Sequence, residues 1–264
     1  MWRAFCVLLL IAELPALLRA GDVPTDNADL REVKVLCIAD ETYRSRFPEW
    51  KDRIAEIVSR ATRDLEAQCA LRFTMTACRP WPYNSKNAGT TYELMTQLLA
   101  IPPAPADIVI AFVGTVQAAN VYRSGHLYYQ QAWSIPFGQH VMVSDIRKEQ
   151  VFAAEQLLVQ RLCTVFGAFS VADRRSIMNN RLENVEPGPI RLGDVTQQVI
   201  RWTHDFDFHR GPASLSPEAI SNVRELYRKY RHVDSAPGDD PITNGYRARR
   251  FYRSNSPPPG PRTA

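Results

Sequence analysis

Residues 151–180 read VFAAEQLLVQRLCTVFGAFSVADRRSIMNN. Leu157, Leu158, Leu162, Val165 and Phe166 recur at helical spacing, so the first half predicts an amphipathic helix with one apolar face. Gly167 is the natural stop, because glycine alone accepts the left-handed cap without steric cost. A short polar run leads to Ser176-Ile177-Met178.

Helix, glycine, short loop and methionine, in that order, resemble the active-site region of the metzincin metalloproteases. Their pattern is H-E-x-x-H-x-x-G-x-x-H followed by a Met-turn. On this chain the three histidine positions fall on Gln160, Thr164 and Ser170, and the glutamate position on Arg161. Gly167 and Met178 keep the family's residue types, and Leu162, Phe166 and Ala168 are similar to its usual filler. The resemblance implies a zincin-like scaffold over about Glu32 to Tyr230, with a cleft between about 31–170 and 171–230. It does not carry the chemistry. A catalytic zinc takes imidazole, thiolate or carboxylate ligands, usually three of them. Gln, Thr and Ser are neutral and weakly basic. Arg161 stands where a carboxylate would take a proton from metal-bound water, and its guanidinium stays protonated. A cation there would also repel a dication. Cys163, one residue from the second ligand position, points elsewhere on a helix. The expectation is a protease-like fold with no catalytic residues, no metal and no cofactor. Arg161, if it faces the cleft, should seek a carboxylate from a partner or from the body of the protein.

Outward from this stretch, the pattern predicts an α/β fold. VKVLCIA (Val33–Ala39) and DIVIAFV (Asp107–Val113) are apolar runs of core strands, each short and β-branched. Between them lies a helix opening at Pro48 and running to about Gln68, with Trp50, Ile54, Ile57, Val58, Ala61 and Leu65 as its stripe. Leu71, Phe73 and Met75 alternate with polar neighbours, as in a strand. Glu41–Arg46 reads as a polar turn, and 91–99 as a helix stopped by the prolines at 102, 103 and 105. HVMVS (His140–Ser144) is a further strand, and Asp145 suits the cap of a helix starting near Arg147. The strand that would line the substrate cleft by resemblance falls near His126–Gln131, which makes His126, Tyr128 and Tyr129 cleft candidates. Val195–Trp202 is either a short helix or extended. Ser216-Pro217-Glu218 opens a helix through about Tyr230, with Ser216 as cap. The expected architecture is a mixed, mostly parallel twisted sheet packed by two long helices, with a C-terminal helical subdomain.

Other chemistries are weaker. His204, Asp205, Asp207 and His209 cluster in RWTHDFDFHR. If extended, Asp205, Asp207 and His209 share a face, which makes a relocated metal site the alternative enzymatic reading. Arg201 and Arg210 flank the cluster, and an ordinary polar surface loop with two histidines is the favoured account of it. His126 and His140 have no partner at i,i+4. Trp81, Tyr83, Tyr128, Tyr129 and Trp133 suit either an aromatic ligand wall or core and rim. No G-x-S-x-G elbow and no phosphate-cradling glycine loop occur.

The first 20 residues have the form of a secretory signal peptide: Arg3, an apolar run interrupted by Glu13, and Ala20 before Gly21. Secretion, or another extracytoplasmic destination, is expected. No later stretch reaches the roughly 18 apolar residues of a spanning helix. Cleavage removes Arg3, Arg19 and Glu13, taking the formal charge from +4 to +3. Residues 231–264 hold six arginines and three aspartates, so that charge sits in the tail and the body is near neutral. A near-neutral body argues against nucleic acid as a partner. A peptide or protein in the cleft is the expected one. The tail is rich in Pro, Gly, Ser and Arg and reads as disordered, leaving 21–230 as the folded domain. Export would place Cys37, Cys69, Cys78 and Cys163 in an oxidising compartment. Cys69 and Cys78 are the foremost disulfide candidates, although the strand between them holds them apart. A Cys37–Cys163 bridge is the alternative, and buried free thiols are another.

Overall fold

The computed structural model describes residues 29–87, 91–115, 117–123, 126–130, 132–145, 151–173, 176–179, 190–232 and 240–247. Its elements are β1 (Arg31–Ala39), α1 (Glu41–Arg46), α2 (Trp50–Cys69), β2 (Leu71–Pro80), α3 (Thr91–Leu99) and β3 (Ile108–Val113). Next come β4 (Gln117–Arg123), β5 (His126–Gln130), β6 (Ala132–Ser134) and β7 (His140–Ser144). The long α4 (Val151–Val165) follows, then α5 (Asp194–Thr203) and α6 (Pro217–Tyr230).

Five strands form one sheet in the order β2-β1-β3-β7-β6. The first four run parallel, and β6 pairs antiparallel with β7 at the edge. This is the mixed α/β sheet the apolar runs predict. Alternation along each strand sorts the core into two layers. Val33, Val35, Cys37 and Ala39 of β1, with Ile108, Ile110 and Phe112 of β3, face the larger cluster under α2 and α4. Leu36 and Ile38, with Val109, Ala111 and Val113, face the smaller one under Leu94 and Leu98 of α3. A strand buried on both faces must read as a continuous apolar run, as β3 does.

Several expectations are corrected. Glu41–Arg46 is a helix rather than a turn, because the Asp40 carboxylate caps it by accepting from the Tyr43 amide at 2.7 Å. The antiparallel edge strand of the sheet is Ala132–Ser134, not the stretch near His126–Gln131. His126, Tyr128 and Tyr129 lie on β5, which pairs with β4 in a separate two-stranded ribbon. Val195–Trp202 resolves as helix. The tail expected to be disordered from Arg231 includes an ordered piece: 241–247 are helical and Ile242 is fully buried. The four cysteines are free. Cys69 precedes β2 and Cys78 lies near its far end, so the strand separates them by roughly 25 Å, far beyond disulfide reach. Cys78 instead faces Cys37 across the β1–β2 ladder. Among the described residues no helix is long and apolar enough to cross a membrane.

Candidate functional site

Two polar constructions stand out, one at the carboxyl ends of the parallel strands and one at the end of α4. At the first, Asp40 follows β1 and Asp145 follows β7, both buried. Asp40 accepts from the amides of Tyr43 at 2.7 Å, Gly114 at 3.1 Å and Ser85 at 3.0 Å. Gly114 is obligatory, because a Cβ there would lie 2.5 Å from the Tyr43 nitrogen. Asp145 takes a forked pair of bonds from Arg53, at 2.6 and 3.0 Å, and a third from the Tyr43 hydroxyl at 3.2 Å. Burial alone would lower the Arg53 pKa, but its bonds to Asp145 outweigh that and hold it up. Burial, reinforced by the Asp145 carboxylate, pushes the Tyr43 phenol well up. Asp145 is thus a buried tie to α2. Residues 146–150, where the capped helix was expected to begin, lie outside the described residues, and α4 is described from Val151.

The second construction holds the motif positions. The end of α4 is fixed by its glycine: Gly167 has φ +82°, and a Cβ would overlap the Phe137 ring. Gly167 and Ala168 donate back to the carbonyls of Thr164 at 2.8 Å and Cys163 at 3.0 Å. The Thr203 hydroxyl of α5 satisfies the Phe166 carbonyl at 2.6 Å. Beyond the cap, the Val171 amide donates to the Met178 carbonyl at 3.3 Å, and His232 to Ser170 at 2.9 Å. The Asn179 side chain closes the loop on the carbonyls of Val171 and Ala172. Met178 is buried against the core.

Within this frame Gln160 is buried. Its amide donates to the Ile177 carbonyl at 3.1 Å, and its side-chain oxygen accepts from Arg161 at 2.7 Å. The Thr164 hydroxyl turns back onto the Gln160 carbonyl at 3.0 Å. Gln160 thus reaches the 176–179 turn, Val171 pairs with the same turn, and Arg161 is bonded to Gln160. The Arg161 backbone carbonyl meets the Ser134 hydroxyl of β6 at 3.2 Å. Among the described residues, two polar atoms here are buried without a partner: Arg161 Nε and Ser170 Oγ. Burial lowers the Arg161 pKa to about 10, so it stays charged at neutral pH.

A zinc ion does not fit these residues. The Gln160 oxygen is engaged by a cation, Thr164 is engaged by the helix backbone, and Arg161 brings a positive charge to the place. Among the described residues no group of three or more His, Cys, Asp or Glu side chains is disposed to hold a metal. The cluster at His204 to His209 is not extended, so its expected shared face does not form. Phe206 and Phe208 are buried in the core beside Phe166, and the chain turns to insert them. His204 bonds Asp205 at 2.6 Å and the Ala70 carbonyl at 3.2 Å. Asp207 accepts from the amides of His209 and Arg210, bonds that lower its pKa. His140 donates its ring nitrogen to the Ile101 carbonyl at 2.8 Å. The side chains of His126, Tyr128 and Tyr129 lie outside the described residues. Trp81 and Tyr83 stack on each other at 5.0 Å, Trp81 buried in the smaller cluster.

Sequence reading missed two features. One is the Asp40–Tyr43–Asp145–Arg53 network, whose signal was an aspartate directly after each of two apolar strands. The other is Arg31. Its guanidinium donates to the carbonyls of His204 and Phe206 and sits about 5 Å from the rings of Phe166, Phe206 and Phe208. Nothing local in the sequence signals that contact.

No protein-family model matches the chain, and no curated protein matches it. Among solved structures, archaemetzincin from Methanopyrus kandleri is similar at TM-score 0.50 and 16% identity, covering 70% of this chain and 99% of that one. A chaperone–substrate complex is similar at TM-score 0.49 and 12% identity, covering 69% of this chain and 39% of that one. The likeness to archaemetzincin shows the fold: this chain is a mixed α/β protein with a five-stranded, mostly parallel sheet similar to that of archaemetzincin.

Proposed function

We propose that the chain is a catalytically inactive, exported metalloprotease-like protein that binds a peptide or protein partner through the cleft beside α4. The observation that carries this reading is the bonding of the four motif positions. Gln160 and Thr164 are tied to protein groups, Arg161 is cationic, and Ser170 is a lone hydroxyl. None of them is a base able to activate water at neutral pH. The positive φ of Gly167 and the buried Met178 support this reading of a cleft frame retained without the chemistry.

The test uses the purified full chain and acetylated hexapeptides randomised at neutral positions. Fluorescence polarisation reads binding, and mass spectrometry reads peptide integrity with zinc present. Saturable binding with intact peptides is expected. Cleavage that stops on adding a chelator would overturn the proposal.

A further inference from the structure

We infer that Cys37 and Cys78 are placed to close as a disulfide that staples the edge strand β2 to β1. This pairing is independent of the cleft reading. It comes from a shift in the ladder. Val33 faces Phe73 and Val35 faces Met75, a register that would set Cys37 opposite Ala77. Between Val35 and Leu36 the register slips by one residue of β2, so Leu36 faces Ala77 and Cys37 faces Cys78. The Thr76 hydroxyl donates to the Val35 carbonyl at 3.1 Å, at the slip itself. A slip of one residue also turns the following side chains to the other face. Phe73 and Met75 pack in the larger cluster and Ala77 in the smaller, and Cys78 returns to the larger, where Cys37 lies. Without the slip, Cys78 would be on the opposite face of the sheet from Cys37.

Paired strands lie about 4.8 Å apart, inside the roughly 4.4–6.8 Å between Cα atoms that a disulfide spans. The two thiols also sense each other: burial raises the Cys37 pKa, and Cys78 raises it further. Both are free in the structure, so closure needs an oxidant, and a small-molecule disulfide supplies one. Cys37 is fully buried and Cys78 half-buried, so the reagent meets Cys78 first. Burial pushes the Cys78 thiol up to about 11, partly offset by Lys51, so the thiolate that attacks is a small fraction at neutral pH. It forms a mixed disulfide with one half of the reagent and releases the other half as a thiolate. The Cys37 thiolate then attacks the Cys78 sulfur and displaces the second half. Two electrons pass from the protein thiols to the reagent, and their two protons end on the two small thiols released. The bridge closes a loop of about 40 residues around the whole α2 crossover, which lowers the entropy of the unfolded chain. It also pins a strand that has a sheet neighbour on one side only.

The test treats the reduced full chain with oxidised glutathione, once folded and once in denaturant. Remaining thiols are then blocked with N-ethylmaleimide under denaturing conditions, and bridges are mapped by mass spectrometry of peptic fragments. The folded chain should give Cys37–Cys78 as its dominant bridge, and the denatured chain a mixture of pairings. Oxidation of the folded chain should raise Tm by about 5 °C or more, reversed by reductant. Cys78→Ala should leave Cys37 as a free thiol and show no gain in Tm on oxidation, its own cooperative transition reporting that it is folded. Cys37 bridged to Cys69 or Cys163 in the folded chain would overturn the inference. So would Cys37 left free there, under conditions in which the denatured chain forms bridges. A Cys37–Cys78 bridge that left Tm unchanged or lower would overturn its role as a staple.

Discussion

Arg53 and Arg161 both place a guanidinium against the core, and they differ in what meets it. Arg53 faces Asp145 through two bonds, and the carboxylate is completed by Tyr43. Arg161 has one bond to a neutral amide and a sealed Nε–H without an acceptor. The first arrangement is finished and therefore structural: it ties α2 to the carboxyl end of β7. The second is unfinished: the Arg161 Nε–H is sealed without an acceptor among the described residues. The lesson is that satisfaction of the polar groups, more than their burial, separates scaffold from site.

The largest effect should come from breaking the finished pair. Arg53→Met leaves the Asp145 carboxylate buried and unpaired, and should cost about 3–5 kcal/mol in chemical denaturation. Replacing both residues with apolar ones should recover much of that loss. A single-variant loss within 0.5 kcal/mol, roughly what a surface change gives, would break the comparison.

Next is the cap that positions the unfinished site. Gly167→Ala forces a side chain into the left-handed region and against the Phe137 ring. It should cost about 2–3 kcal/mol, read from the same denaturation curves. A neutral result would mean that α4 does not need this glycine to end where it does.

A change of sign follows for the second arginine. Arg161→Met removes a desolvated cation without stranding a carboxylate, and should stabilise the free protein by about 1 kcal/mol. Destabilisation comparable to Arg53→Met would show that Arg161 is paired after all.

The smallest effect is a pH dependence at His140. Desolvation lowers its imidazole pKa below the ordinary 6.5, partly offset by its bond to Ile101. The unfolded chain therefore takes the proton first as pH falls below 6.5, so stability drops there until the folded ring also protonates. His140→Gln should flatten this part of the stability–pH curve. An unchanged slope would assign the dependence to another group.

Much of this frame was legible in the residues. β1, β3 and β7 announce themselves as apolar runs, and α2 by its stripe from Trp50 to Leu65. Gly167 marks the end of α4 because the required backbone excludes other residues. The Arg53–Asp145 tie was hidden, because its partners lie 92 positions apart and neither has a local pattern. The edge strand was misplaced because Ala132-Trp133-Ser134 is too short to show a period, whereas the aromatic stretch before it invited the assignment. RWTHDFDFHR misled for a related reason. Its polar residues suggested a ligand set, but the apolar Phe206 and Phe208 decide its path. At the site itself the resemblance to the metzincin pattern pointed to Gln160, Arg161, Thr164 and Ser170. That Gln160 and Thr164 would bond to protein groups, leaving Arg161 Nε and Ser170 Oγ unmatched, required the structure.

The central claim is that Gln160, Arg161, Thr164 and Ser170 deny a divalent ion its donors while keeping a protease-like frame. Elemental analysis of the full chain, purified after exposure to zinc and exhaustive dialysis, tests it most directly. The account predicts zinc far below one ion per chain, unchanged in Gln160→Ala and Ser170→Ala. One tightly held zinc per chain, lost in those two variants, would contradict it.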